Sequence, residues 1–163
     1  MKIDWLPELV TLEEYENNWE YYLRVLYSFF KDDFINKVPL FKELGVGINH
    51  ELINGKELTF WHIVSEGDIE EDRVPNLRRC ERIRWPRPII EHYYESEIKI
   101  WENEKNKSKR VYLWFEEYSY LVVLIKKPSY YLLLTAFPIE YEHYQRKLRK
   151  EFDEYKKTEA ATG

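Results

Sequence analysis

Apolar residues at Leu12, Tyr15, Trp19, Tyr22, Leu23, Leu26, Phe30 and Phe34 recur at three- and four-residue intervals, the stripe of an amphipathic helix. Thr11 followed by Glu14 predicts a capping box at its start, each side chain satisfying a free donor of the first turn. The helix is expected to end near residues 33–36, because Pro39 follows. Residues 39–57 contain Gly45, Gly47 and Gly55 and read as a loop, with a short helical turn at 40–44 as an option. The period then changes to two. Residues 58–65 (LTFWHIVS) read as a strand that places His62 on one face with Leu58, Phe60 and Val64. A segment bounded by Pro75, Pro86 and Pro88 reads as irregular, with a short helix at about 88–96. Strands follow at 98–103, 110–116, 120–126 and 130–137. Their connections, NEKNKSK, EYS and KPS, are short enough for hairpins and predict an antiparallel meander. A charged amphipathic helix is expected at about 139–157, with a frayed tail TEAATG.

This order predicts an α+β fold: N-terminal helices packed on a four- to five-stranded, mostly antiparallel sheet, with a C-terminal helix. One domain over residues 1–163 accommodates it, with a helical part at 8–45, a sheet core at 57–137 and the last helix at 139–157. No repeat or low-complexity tract interrupts it.

Composition narrows the function classes. The 163 residues include 6 Trp, 14 Tyr and 8 Phe, enough apolar surface to exclude disorder. No apolar run approaches the roughly 18–20 residues of a membrane helix. The opening MKIDWLPELV lacks the basic start and long apolar run of a secretory signal, so a soluble, cytoplasmic chain is expected. A single cysteine, Cys80, excludes an internal disulfide and a multi-cysteine zinc site. The net charge of −5 argues against indiscriminate nucleic-acid binding, yet it is unevenly distributed. Residues 73–88 hold six arginines and one acid, Glu81, so that stretch is +5 and the rest of the chain −10.

The chain has no phosphate-binding loop, dinucleotide fingerprint, HExxH or GxSxG sequence. His50, His62, His92 and His143 include no pair four residues apart, so neither metal nor cofactor is expected. His62 could act as general acid or base near neutral pH; the plainer reading is a core histidine with satisfied nitrogens. It is followed by LRRCERIRWPRP, residues 77–88, whose guanidinium forks match phosphate oxygens. Trp85 and Tyr93 could stack on bases. The plainer reading pairs these arginines with Glu70, Glu71, Asp72 and Glu81. Parity puts Thr135 on one face with Tyr131, Leu133 and Phe137, and Arg110 on one face with Tyr112 and Trp114. Arg146, Lys147, Arg149 and Lys150 read as a solvated helix face.

The series FFKDDFI, ELTFWHIVSEG, LRRCERIRWPRPIIE, KRVYLWF and YYLLLTAFPIEYEH, across roughly residues 15–155, resembles the prophage-type branch of the barnase–EndoU–colicin–RelE ribonuclease superfamily. The resemblance implies helices packed on an antiparallel sheet whose exposed face carries the site. It also implies metal-independent endoribonuclease activity, often as a toxin acting on tRNA or other translation RNA. His62 matches the histidine of the first core strand, Arg79 or Arg82 the arginine after it, and Thr135 the polar residue of the last strand. Arg84 and Arg110 would make supporting phosphate contacts, and Trp85 and Tyr131 would complete the RNA-facing surface. An antitoxin or immunity protein would be the partner. Two other readings stay open: a non-catalytic RNA-binding module, and a protein-interaction component of a phage or mobile element.

Overall fold

The computed structural model describes residues 3–162. Thr11 forms the capping box, its backbone N–H and its hydroxyl both donating to Glu14 Oε1 at 2.9 Å. The box opens only a single 3₁₀ turn over Leu12–Tyr15. Glu16 and Asn17 then take left-handed backbones, with φ of 59° and 54°, and interrupt the expected continuous helix. Asn18 restarts it by accepting from Tyr21 N at 3.0 Å. Helix α1 (Trp19–Phe34) buries Tyr22, Leu26, Phe30 and Phe34, the stripe read from the sequence.

Residues 39–57 hold two small hairpins instead of a loop with a helical turn. They are β1 (Leu40–Phe41) with β2 (Leu44–Gly47), and β3 (Leu52–Ile53) with β4 (Lys56–Glu57). Lys42–Glu43 and Asn54–Gly55 carry positive φ at both turn positions, the geometry whose twist suits a two-residue hairpin.

The expected strand at 58–65 is a helix, α2 (Leu58–Val64), with Thr59, Phe60, Ile63 and Val64 buried. That spacing belongs to a helical face. Seven residues of mostly apolar character cannot distinguish period 2 from period 3.6 by pattern alone. The chain continues through β5 (Ser65–Glu66) and β6 (Val74–Pro75), which pair antiparallel. Two short helices then replace the one expected at 88–96: α3 (Leu77–Glu81) and α4 (Pro86–Glu91). Pro86 begins α4, where its missing N–H costs nothing.

The meander is as predicted: β7 (Ile98–Lys105), β8 (Ser108–Phe115), β9 (Tyr120–Lys126) and β10 (Tyr131–Pro138). Helix α5 (Glu142–Thr162) runs through the tail expected to fray, of which Gly163 lies outside the described residues. The sheet has six strands in the order β1-β2-β10-β9-β8-β7. It is mixed, because β2 runs parallel to β10 through Val46 and Gly47.

Both faces of this sheet are covered, which corrects the expectation of an exposed, site-bearing face. On one side Leu26, Phe30, Phe60, Ile63, Cys80 and Ile89 pack against Leu113, Phe115, Val122 and Leu124. On the other, Leu148, Tyr144 and Phe152 of α5 pack against Trp101, Trp114, Leu121 and Val123. No helix of the described residues is long and apolar enough to cross a membrane.

Candidate functional site

Three of the residues singled out in the sequence meet at the end of α2, through a main-chain atom. The carbonyl oxygen of His62 accepts from Arg79 Nη1 at 3.0 Å and from Thr135 Oγ1 at 3.0 Å, with Arg73 Nη2 at 3.4 Å. Arg79 also donates to Ser65 O at 2.7 Å, and Arg73 donates to Gly67 O at 2.7 Å and Ser65 Oγ at 3.0 Å. The reason is local. The last carbonyls of a helix lack intrahelical partners and carry the negative end of its dipole, and a guanidinium satisfies both needs. Burial, reinforced by the neighbouring Arg73 charge, holds the Arg79 pKa below the usual arginine value, with Glu66 opposing.

Thr135 reaches this point because of a bulge. The register of β10 against β9 shifts between Leu133 and Thr135. One extra residue moves everything after it to the opposite face. Thr135 and Phe137 therefore share a face, whereas Tyr131 and Leu133 belong to the other. Tyr131 is buried edge-on against Phe41 at 4.9 Å between ring centroids, away from Thr135.

The His62 imidazole is engaged separately. Its Nε2 lies 3.0 Å and 3.1 Å from the two carboxylate oxygens of Glu70. The side chain is 22% exposed and Nδ1 has no hydrogen bond among the described residues. A neutral imidazole donating from Nε2 to Glu70 keeps its lone pair on Nδ1.

The other arginines hold the fold together. Arg82 donates to Arg78 O at 2.9 Å, lies 3.5 Å from Glu81 and sits over the Trp85 ring at 5.1 Å. Arg84 sits over Phe29 at 4.6 Å, with Asp33 at 3.6 Å. Arg87 donates to Asp33 O and Lys37 O at 2.6 Å each, closing the end of α1. Trp85 is buried, and its indole N–H donates to Pro7 O at 2.9 Å, so it cannot stack on a base.

Arg79 does line an open recess of about 150 Å³ with Glu66, Phe137, Tyr141 and Tyr144. Phe137 and Tyr144 also wall a second recess of about 160 Å³, lined by Lys105, Arg110, Tyr112, Thr135, Lys147 and Glu151. Arg110 and Tyr112 share a face, as parity predicts, and Arg110 Nε is buried without a hydrogen-bond partner. The two recesses adjoin along the edge of α5. The first sets Glu66 and Glu140 against Arg79, whereas the second sets Lys105, Arg110 and Lys147 against Glu151 and offers a phosphate-sized oxyanion guanidinium and ammonium donors.

Sequence reasoning missed Glu70 as the partner of His62, since a separation of eight residues forms no periodic signal. It also missed Lys105 and read Lys147 as part of a solvated face; the two converge only after α5 folds onto the sheet. No three His, Cys, Asp or Glu side chains converge as a metal site among the described residues. Compared with protein-family models, curated proteins and solved structures, the chain finds no match.

Proposed function

We propose that this chain is a metal-independent endoribonuclease with His62 as its acid–base residue. The observation that carries the reading is the pairing of a partly exposed His62 with Glu70, on a helix end held by Arg79 and Thr135. Glu70 fixes the imidazole tautomer and leaves Nδ1 to exchange protons. A ribose 2′-hydroxyl would lose its proton to that nitrogen as its oxygen attacks the adjacent phosphorus. The proton held on Nδ1 then passes to the departing 5′-oxygen, so the P–O5′ bond breaks as the 2′-O–P bond forms, giving a 2′,3′-cyclic phosphate and a free 5′-hydroxyl. Arg79 and Thr135 are positioning residues here, because both act on the His62 carbonyl. Arg110, Lys105 and Lys147 would bed an RNA phosphate in the recess that Thr135 also lines. A toxin acting on tRNA in the cytoplasm, countered by an antitoxin or immunity protein, is the form this reading takes.

The second reading, RNA binding without cleavage, is favoured by one observation: most of the arginine cluster is committed to carbonyls and carboxylates within the protein. One experiment separates the two. Wild type and His62→Ala are incubated with total tRNA and rRNA in EDTA, and RNA binding is followed against salt. Discrete fragments from wild type alone support the ribonuclease. Salt-sensitive binding without fragments supports the binding module, and cleavage by both proteins removes His62 from the chemistry.

A further inference from the structure

A cleft of about 260 Å³ lies between the β3–β4 hairpin, α2 and the β5–β6 hairpin, lined among others by Ile53, Trp61, Glu70, Glu71, Arg73 and Pro75. It falls below the roughly 300–1,000 Å³ usual for small-molecule sites, and suits an anchoring side chain better than a whole ligand. Trp61 forms part of its wall, with its indole N–H already donating to Ile53 O at 2.8 Å. Around it, Leu52, Ile69 and Val74 are 63%, 58% and 60% exposed. A single exposed apolar side chain needs no explanation, but each of these three stands next in the chain to a residue that lines the cleft: Ile53, Glu70 and Pro75.

Lys56 lies over the Trp61 ring at 6.0 Å, but the exposed charge of the loop between β5 and β6 is acidic. Glu66, Asp68, Glu70, Glu71 and Asp72 are all exposed within seven consecutive residues. Of these, Glu70 holds His62. Asp68, Glu71 and Asp72 form no ion pair among the described residues. Arg73, next in the chain, turns its guanidinium inward onto Gly67, Ser65 and His62 main-chain oxygens. Like charges gathered beside an apolar cleft repel one another and draw cations to it.

We propose that the cleft docks a basic segment of a partner protein, with an apolar side chain seated between Trp61 and Pro75 and flanking lysines or arginines paired to Asp68, Glu71 and Asp72. Charge complementarity selects the segment and the apolar anchor supplies affinity. Glu70 belongs both to this cleft and to the His62 pair, so the proposal is tested at Ile69, Val74 and the three acids, none of which the ribonuclease reading uses.

The test uses the full chain and three fluorescein-labelled peptides in anisotropy titrations. One alternates leucine with lysine or arginine, one replaces its cations with glutamate, and one replaces its leucines with serine. The first should bind, and the other two should be weaker by about tenfold or more. Ile69→Ser with Val74→Ser, and separately Asp68→Asn with Glu71→Gln and Asp72→Asn, should each weaken the first peptide about tenfold with circular dichroism unchanged. Absence of binding, equal binding of all three peptides, or variants that bind like wild type would overturn the proposal. Self-association in sedimentation velocity that Val74→Ser abolishes would overturn it too, by assigning the cleft to a second copy of the chain.

Discussion

Asp33 shows how burial can outweigh two nearby cations. It is only 6% exposed at the end of α1, with Oδ1 3.6 Å from Arg84 Nη2 and Oδ2 buried without a hydrogen bond. Arg87 is close, but its Nη1 serves the main-chain oxygens of Asp33 and Lys37. Desolvation therefore dominates the attraction of Arg84 and Arg87 and pushes the carboxyl up to about 6. An unfolded aspartate titrates at about 3.9, so the folded chain binds more protons between these values. The contribution of Asp33 consequently favours folding at low pH and is lost as pH rises through about 6. Asp33→Asn keeps the shape and removes the charge. Its melting temperature should exceed that of wild type at pH 7.5, by a free-energy difference of up to about 3 kcal/mol. Near pH 4 the advantage should vanish, because the wild-type carboxyl is then largely protonated. Equal melting temperatures at pH 7.5 would mean that Arg84 fully offsets the cost of ionised Asp33.

The stripe of α1 repeats often enough to exclude the other period. The strands β7 to β10 were legible from the short connections between them, even though β9 has seven residues and is buried on both faces. In α2 the set Leu58, Phe60 and Val64 fits a strand, while Thr59, Phe60, Ile63 and Val64, the residues actually buried, fit a helix. Only packing against the core decides between them. The β10 bulge is equally invisible, since one added residue between Leu133 and Thr135 has no compositional mark, yet it decides which face Thr135 occupies. The site inherits both errors. His62, Arg79 and Thr135 do meet, but through the His62 carbonyl at a helix end, a contact no side-chain motif records. Helix starts are half legible: the Thr11 box was read from its side chains, while Asn18, the cap that α1 uses, was passed over. Thr11 and Asn18 both carry cap signals, but Thr11 opens a single 3₁₀ turn and Asn18 opens the sixteen residues of α1. Asn18→Ala should therefore cost about 1 kcal/mol in urea denaturation. Thr11→Ala should cost measurably less; a larger loss there would make the N-terminal turn the true anchor of α1.

At the scale of the molecule, α5 joins stability to the proposed site. Its Leu148, Tyr144 and Phe152 cover Trp101, Trp114, Leu121 and Val123, and its Tyr144 and Lys147 wall the recess that holds Arg110 and Thr135. Arg149 and Lys99 both pair with Glu116, tying the helix to the β7–β8 strands and lowering the Glu116 carboxyl below its ordinary range through those hydrogen bonds. The pairs are partly exposed and contribute little; the buried indoles decide the outcome. Baring roughly half of each tryptophan would return about 200 Å² of apolar surface to water, near 5 kcal/mol at ~25 cal/mol per Å². That is comparable with the whole net stability of an ordinary domain, about 5–15 kcal/mol. Truncation before Tyr141 should thus yield a chain that binds the dye ANS and aggregates on size exclusion. From Lys156 onward the described side chains of α5 are exposed through Ala161, beyond the reach of that cover. Truncation after Tyr155 should leave urea stability nearly unchanged and the chain monomeric on size exclusion, because the apolar cover of the tryptophan face comes from earlier in α5. If the shorter cut also released ANS-binding surface, the cover would reach further along α5 than Leu148, Phe152 and Tyr155. If the longer cut left a soluble monomer without ANS binding, the sheet would be closing its tryptophan face by itself. In that case α5 would be free to leave the recess, and Lys147 could not be a fixed part of it.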